Sequence, residues 1–311
     1  MTGFAVMCSG QGEQRLDMFQ NLTDRPEAAA LLARLRPALP APVAAWLDRP
    51  DAETLFADAV CQPLICLRQL LVWEIVRTAV PAPDAFFGYS LGELASYGCA
   101  GAFAPETVIS LAAERARLMD MAAAAAPSGL AAVKGLPEKP VAAITARHHG
   151  FVAIVDGPEH FTVGAPIKEL DGLVADFTDA GASAAVRLHV PLASHTPFLA
   201  AASQTFLPIL ENAPFAAPQA ALFAGISGDG VFTRTGAASA LSRQISEPLR
   251  FDLVIEAAVA RGCRTFLELG PGTTLSHLIL EAHPGLEARS VDEFADLGHV
   301  GRWVAAALSR Q

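Results

Sequence analysis

The chain reads as an α/β fold on a mostly parallel sheet, interrupted once by a small α+β insertion. Three observations predict this. Short apolar runs alternate with helix-patterned stretches, as in a sheet covered by helices on both faces. Phe86-Phe87 leads through Gly88-Tyr89-Ser90-Leu91-Gly92 straight into helix-forming residues, a strand, tight turn and helix. Between residues 128 and 196 the order becomes strand, helix, strand, strand, helix, strand, that of a split β-α-β unit. The division expected is a large discontinuous domain of residues 1–127 and 197–311 and a small domain of residues 128–196.

With 311 residues, 52% hydrophobic and only 17% charged, the chain can bury a large core. Its most apolar stretch, Leu64 to Val80, is interrupted by Arg68, Glu74 and Arg77, so no membrane span is expected. Met1 to Val6 has no basic segment before an apolar run, and the expected location is the cytoplasm. Cys8, Cys61, Cys66, Cys99 and Cys263 are odd in number and lack Cys-x-x-Cys spacing, which predicts buried thiols and no metal site. The net charge of −10 argues against nucleic acid and anionic membrane as partners. Any anionic ligand then needs a local basic site.

Taken in order, Phe4 to Cys8 is a buried-strand pattern, and Ser9-Gly10-Gln11-Gly12-Glu13-Gln14 is a glycine-rich turn at its end. Glycines on both sides of Gln11 let its backbone N–H approach a ligand, although a plain surface loop has the same pattern. Residues 26 to 56 read as short helices. Gln62-Pro63 opens a helix from Leu64 to Val80, apolar around most of its circumference and expected to be buried against the sheet. Pro81-Ala82-Pro83 ends it. Thr107 to Ala126 is a long helix carrying Arg115 and Arg117, two positions apart and on different faces, so at most one of them faces a cleft. Pro127-Ser128-Gly129 breaks that helix. The inserted unit has strands at 130–133, 151–155, 161–163 and 184–190, with helices at 138–148 and 167–180. A helix at 198–211, a strand at 221–226, helices at 237–244 and 251–261, and a strand at 265–269 follow, the last ending in Gly270-Pro271-Gly272.

Gly88-Tyr89-Ser90-Leu91-Gly92 has the form of a nucleophile elbow. Such a turn strains the serine backbone and lifts its hydroxyl clear of the sheet, and a side chain at either glycine would collide there. The Leu91 N–H, at a helix start, is a ready oxyanion donor. A serine nucleophile needs a base, most often histidine. Of His148, His149, His160, His189, His195, His277, His283 and His299, only His195 sits where the chain returns from the small domain to the large one, at the mouth of any cleft between them. No acid in the interval between serine and histidine (Asp120, Asp156, Asp171, Asp176, Asp179) follows a strand of the large sheet. A dyad whose imidazole is oriented by a backbone carbonyl fits better than a triad.

Several separate stretches then agree. The sequence resembles the malonyl-CoA:acyl carrier protein transacylases over essentially its whole length. The motifs are Gly10-Gln11-Gly12, Gln62-Pro63, Gly88 to Glu93, Arg115 with Met119, His195 after Ser194, Arg243-Gln244, and Gly270-Pro271-Gly272. Each is moderate alone, and seven in the right order are very specific. The resemblance implies a large α/β-hydrolase-like domain, a small ferredoxin-like domain, and a site between them. It implies Ser90 as nucleophile, His195 as base held by the Gln244 carbonyl, and the Gln11 and Leu91 amides as oxyanion hole. It further implies Arg115 as clamp on a malonyl carboxylate, with Gln62, Tyr89, Ser194 and Gln244 shaping the site. The implied substrate is malonyl-CoA, with no permanently bound cofactor. The implied acceptor is a carrier-borne phosphopantetheine-type thiol on an acyl carrier protein. Tyr89 stands where fatty-acid-synthesis members usually have histidine, Cys8-Ser9 replaces the usual Phe-Pro, and Glu13 and His160 also depart from the common pattern. Gly-Tyr-Ser with Cys-Ser-Gly-Gln-Gly is more similar to the epsilon subunit of bacterial malonate decarboxylase, which would make that enzyme's carrier subunit the partner. Fatty-acid or polyketide synthesis is the alternative. A plain serine esterase and a non-catalytic scaffold are the rivals from other classes.

Overall fold

The computed structural model describes residues 3–20, 22–188, 190 and 192–310. β1 (Gly3–Cys8) runs at the centre of a five-stranded sheet. The chain then forms α1 (Pro26–Leu35), α2 (Ala41–Asp48), α3 (Asp58–Val76), β2 (Ala85–Gly88), α4 (Leu91–Cys99) and α5 (Pro105–Ala125). Next come β3 (Ser128–Lys134), α6 (Glu138–Arg147), β4 (Phe151–Gly157), β5 (His160–Pro166), α7 (Leu170–Asp179) and β6 (Ala184–Arg187). The remainder is α8 (Ala200–Asn212), β7 (Ala221–Leu222), α9 (Arg234–Arg243), β8 (Leu249–Arg250), α10 (Phe251–Ala260), β9 (Cys263–Glu268), α11 (Thr274–Ala282), β10 (Glu287–Ser290) and α12 (Val300–Arg310).

The first sheet has the order β10-β9-β1-β2-β7, and all its pairings are parallel. Its β1, β2 and β7 are apolar on both sides for a simple reason. Side chains alternate across a strand, and both faces are covered: Phe4, Val6 and Cys8 enter the core with α3, α4 and α5, whereas Ala5 and Met7 enter a second core with α10 and α11. The second sheet has the order β6-β3-β5-β4-β8. Its first four strands are antiparallel and, with α6 and α7, form a ferredoxin-like α+β unit. β8 adds parallel to β4, so residues 249–250 return to this sheet long after the insertion has ended.

Several expected elements differ. α3 begins at Asp58 rather than Leu64 and carries Pro63 inside it, ending at Val76. One helical hydrogen bond is forgone at the proline, and burial on nearly every side maintains the helix: Gln62 through Val72 are all buried. By length and composition α3 could cross a membrane, but 78% of its most apolar window lies inside the fold. It packs among α1, α2, α4 and α5 and meets the sheet where Trp73 sits edge-on to Phe86. The strand expected at 221–226 shortens to Ala221–Leu222, because the Ala224 carbonyl accepts from the Ser227 and Gly228 amides in a turn. β6 stops at Arg187 rather than 190. His189 and Pro191 lie outside the described residues. Beyond Gly272 the sequence pattern assigns no element, yet α11, β10 and α12 complete the sheet edge there.

Candidate active site

The C-terminal ends of β1 and β2 build the site. Ser90 has φ 54° and ψ −115°, a left-handed backbone that serine adopts only under restraint. The restraint is the packing of the elbow. A Cβ on Gly88 would lie 2.0 Å from the Gly92 carbonyl carbon, and one on Gly92 would lie 2.0 Å from the Cys8 carbonyl oxygen. Glycine alone lets α4 sit this close to β1 and β2.

His195 also has a positive φ, of 62°. Its Nε2 is 2.8 Å from Ser90 Oγ, and its Nδ1 contacts the Gln244 backbone carbonyl. A carbonyl can only accept, so Nδ1 carries the proton and Nε2 is the lone pair facing the serine hydroxyl. Burial, reinforced by the Arg115 charge and opposed by the Gln244 carbonyl, pushes the imidazole pKa down to about 3. The histidine is therefore neutral throughout the physiological range. Among the described residues no carboxylate touches it. Asp156 faces Tyr89, Asp171 pairs with Arg187 at 3.5 Å, and Asp176 pairs with Arg147 and His148.

Arg115 lies on the inner face of α5, 2% exposed. Its Nη1 donates to Gln62 Oε1 (2.8 Å), and its Nη2 to Gln244 Oε1 (3.1 Å) and Ser90 Oγ (3.3 Å). Every one of these partners is neutral. Among the described residues no carboxylate lies within ion-pair distance of the guanidinium. Burial lowers its pKa to about 10, which leaves it cationic at neutral pH. The carboxylates of Asp58 and Glu93 act on it only from beyond contact, so a buried cation whose direct partners are neutral can still receive an anion beside the nucleophile, since removing a charge from water without an adjacent counter-charge is expensive. Arg117, by contrast, is exposed and pairs with Glu114.

Gln11 follows Gly10, where an added Cβ would lie 2.9 Å from the Tyr89 carbonyl and 3.7 Å from Ser90 Cβ. The turn thus passes directly over the elbow. Neither the Gln11 nor the Leu91 backbone N–H has an acceptor among the described residues, so both are free to receive a developing oxyanion. The Gln11 side chain is tied back to Asp58 (2.7 Å). Gln69 donates to both the Ser9 and Gly270 carbonyls (2.7 Å each), and buried Glu268 accepts from Ser9 Oγ (2.7 Å), which fixes the turn against the Gly-Pro-Gly segment. Glu13 caps the start of α11 through the Thr273 and Thr274 amides (3.0 Å each).

Tyr89, expected to line the cleft, turns its ring edge-on to Phe251 (5.1 Å) and its hydroxyl toward Asp156 on β4 (3.4 Å). It is a strut from the elbow to the small sheet rather than a free cleft wall. Ser194 is buried beside His195, without a hydrogen bond to Ser90, Arg115 or Gln244 among the described residues. Asp58, Gln69 and Glu268 carry no motif in the sequence, and Glu93 closes the Gly88 to Glu93 motif without a role assigned to it. A signal existed for Gln69, which with Arg68 interrupts the most apolar helix of the chain.

A strained serine bonded to a carbonyl-held histidine is the constellation of enzymes that pass an acyl group through a serine ester. The chain belongs to the acyl transferase domain family, which it matches over residues 6–304. It is 31% identical over 297 residues to the malonyl CoA-acyl carrier protein transacylase of Mycobacterium tuberculosis (strain ATCC 25618 / H37Rv), covering 94% of this chain and 97% of that protein. The Bacillus subtilis (strain 168) protein of the same name is 24% identical over 299 residues, with 94% of each chain covered. Among solved structures, a malonyl-transacylase bound to its type II polyketide-synthase acyl-carrier protein superposes with TM-score 0.91 at 23% identity, covering 97% of this chain and 99% of that one. The acyl-carrier-protein S-malonyltransferase of Burkholderia pseudomallei 1710b gives TM-score 0.90 at 24% identity, with 96% and 99% covered. These two likenesses bear on the fold.

Proposed function

We propose that this protein transfers malonyl from malonyl-CoA to the thiol of an acyl carrier protein through a malonyl ester of Ser90. The observation that carries the reading is Arg115, a buried guanidinium with no carboxylate in contact among the described residues, 3.3 Å from Ser90 Oγ. The 31% identical transacylase supports it. Ser90 Oγ gives its proton to His195 Nε2 and bonds to the thioester carbon. The oxyanion is received by the Leu91 and Gln11 amides, the C–S bond breaks, and the imidazolium proton goes to the CoA sulfur. A carrier thiol then gives its proton to His195, its sulfur displaces Ser90 Oγ, and the serine recovers its proton. The carboxylate on Arg115 opposes the positive field that depresses His195, so a malonyl group strengthens the base that acts on it.

Residues 1–127 with 197–311, and residues 128–196, are taken as the two domains of this reading, with the site at their junction in the cytoplasm. A narrower reading makes the carrier subunit of malonate decarboxylase the acceptor. Tyr89 and Cys8-Ser9 favour it, whereas the relatives named above favour the carriers of fatty-acid or polyketide synthesis, which we take as the main reading. The test is incubation with malonyl-CoA, followed by peptide mass mapping and a chase with pantetheine. Malonyl on the Ser90 peptide, released by the thiol, is expected. An unlabelled Ser90 peptide, or label undiminished in Ser90→Ala, would overturn the proposal.

A further inference from the structure

Glu93, two positions into α4, is completely buried, and nothing in the acyl-transfer steps above uses it. Its Oε2 accepts from Gln244 Nε2 (2.9 Å) and from the Gly225 backbone N–H (3.1 Å), while its Oε1 is buried without a partner. The fit is close: a Cβ on Gly225 would lie 2.6 Å from Glu93 Oε2. Gln244 touches Ser90, His195 and Arg115 at once. Its backbone carbonyl holds His195 Nδ1, its Nε2 also donates to the Ser90 carbonyl (3.0 Å), and its Oε1 receives Arg115 Nη2 (3.1 Å).

The two ends of a glutamine amide are nearly the same shape, so only hydrogen-bond partners decide which end faces which way. The nitrogen end here meets two acceptors, the Glu93 carboxylate and the Ser90 carbonyl. Without Glu93, one neutral carbonyl remains to oppose a flip that would set an NH2 group against the Arg115 guanidinium. A carboxylate is the stronger holder, since charge-assisted hydrogen bonds exceed neutral ones.

We propose that Glu93 is a positioning residue for acyl-donor selection: it fixes the orientation of the Gln244 amide, and through it the guanidinium fork of Arg115 that receives the malonyl carboxylate. This rests on the proposed malonyl transfer. Its effect is specific, because an acetyl donor makes no use of the fork. Burial raises the Glu93 pKa to about 7, against the bonds from Gln244 and Gly225. The protonated acid keeps a carbonyl oxygen for both donors, so the hold survives protonation.

The experiment measures kcat/KM for transfer from malonyl-CoA and from acetyl-CoA to pantetheine in wild type, Glu93→Ala, Glu93→Asp and Glu93→Gln. Glu93→Ala should reduce the malonyl to acetyl ratio by roughly 10-fold, the scale of one lost hydrogen bond to a charged group, with the loss expressed mainly in KM for malonyl-CoA. Glu93→Asp, one methylene short of Gln244 but still charged, should lower the ratio in the same direction and serves if the alanine variant does not fold. Glu93→Gln should restore it to within about 3-fold of wild type, because its carbonyl oxygen can accept both bonds. A purely structural role would depress both donors together and leave the ratio unchanged, and that result in the alanine or aspartate variant overturns the proposal. A ratio that falls equally in Glu93→Gln overturns it too, since charge rather than amide orientation would then matter. A wild type that transfers neither acyl group would instead refute the functional reading.

Discussion

The inner and outer faces of α5 carry the same residue type two positions apart with opposite consequences. On the outer face Arg117 lies in solvent, 52% exposed, and its charge is answered by Glu114 on the same helix. On the inner face Arg115 is 2% exposed, its hydrogen bonds among the described residues go to the amides of Gln62 and Gln244 and the hydroxyl of Ser90, and the carboxylates of Asp58 and Glu93 act on it only from beyond contact. Exposed pairs of the first kind contribute little, about 0–1 kcal/mol. A buried cation left with neutral partners retains its unmet demand for an anion, and that demand is a specificity device.

The comparison is broken first by removing the chemistry it serves. Ser90→Ala and His195→Ala should each lower malonyl transfer by at least ~10³-fold in steady-state assays. Asp156→Asn, Asp171→Asn, Asp176→Asn and Asp179→Asn should do little, because the Gln244 carbonyl already orients the imidazole. A ~10³-fold loss in any of these would show that a carboxylate does that work instead.

A second break is at the inner face. Truncating one partner of a buried charge pair costs ~2–5 kcal/mol, so Arg115→Ala should cut malonyl transfer about 30-fold or more. Arg115→Lys should recover only part, since an ammonium lacks the planar fork.

The pH profile sharpens the same contrast. His195 must be neutral to accept the serine proton, and its depressed pKa of about 3 keeps it neutral as pH falls from 8 to 5. The profile of kcat/KM, which reports the free enzyme, should therefore lack an inflection at the ordinary histidine value near ~6.5. Burial also raises Glu93 and Asp156 to about 7, so a one-proton decline near 6.5 that persists in both Glu93→Gln and Asp156→Asn would mean that neither burial nor Arg115 acts on the imidazole. The smallest effect expected is at the outer face, where Arg117→Ala should leave kcat/KM within about 2-fold.

Local pattern carried the parts of the site that are built locally. The elbow needs Gly88, Ser90 and Gly92 at fixed spacing, and a helix period separates the faces of Arg115 and Arg117, so both were legible in the sequence. His195 stood out only by its place at the junction of two kinds of chain order. The remainder depends on partners far apart in the chain. Glu93 meets Gln244 across 151 residues, and Gln69 meets Gly270 across 201. No periodicity encodes such a meeting. β8 is two residues long and takes its identity from β4, and β7 is cut short by a turn whose acceptor is the Ala224 carbonyl. Tyr89 adjoins Ser90 in sequence, but it lies in the bend just past the end of β2, and there its ring packs on Phe251 and its hydroxyl turns toward Asp156.

Under the proposed malonyl transfer, a buried guanidinium with no carboxylate in contact among the described residues, rather than the serine and histidine alone, sets the acyl group. The most direct test is the ratio of malonyl-CoA to acetyl-CoA transfer efficiency in wild type, Arg115→Ala and Arg117→Ala, measured with pantetheine as common acceptor. The ratio is expected to collapse in Arg115→Ala, with acetyl transfer unchanged or raised, and to be preserved in Arg117→Ala. A ratio that survives in Arg115→Ala and collapses in Arg117→Ala would contradict this and place the carboxylate on the outer face of the helix.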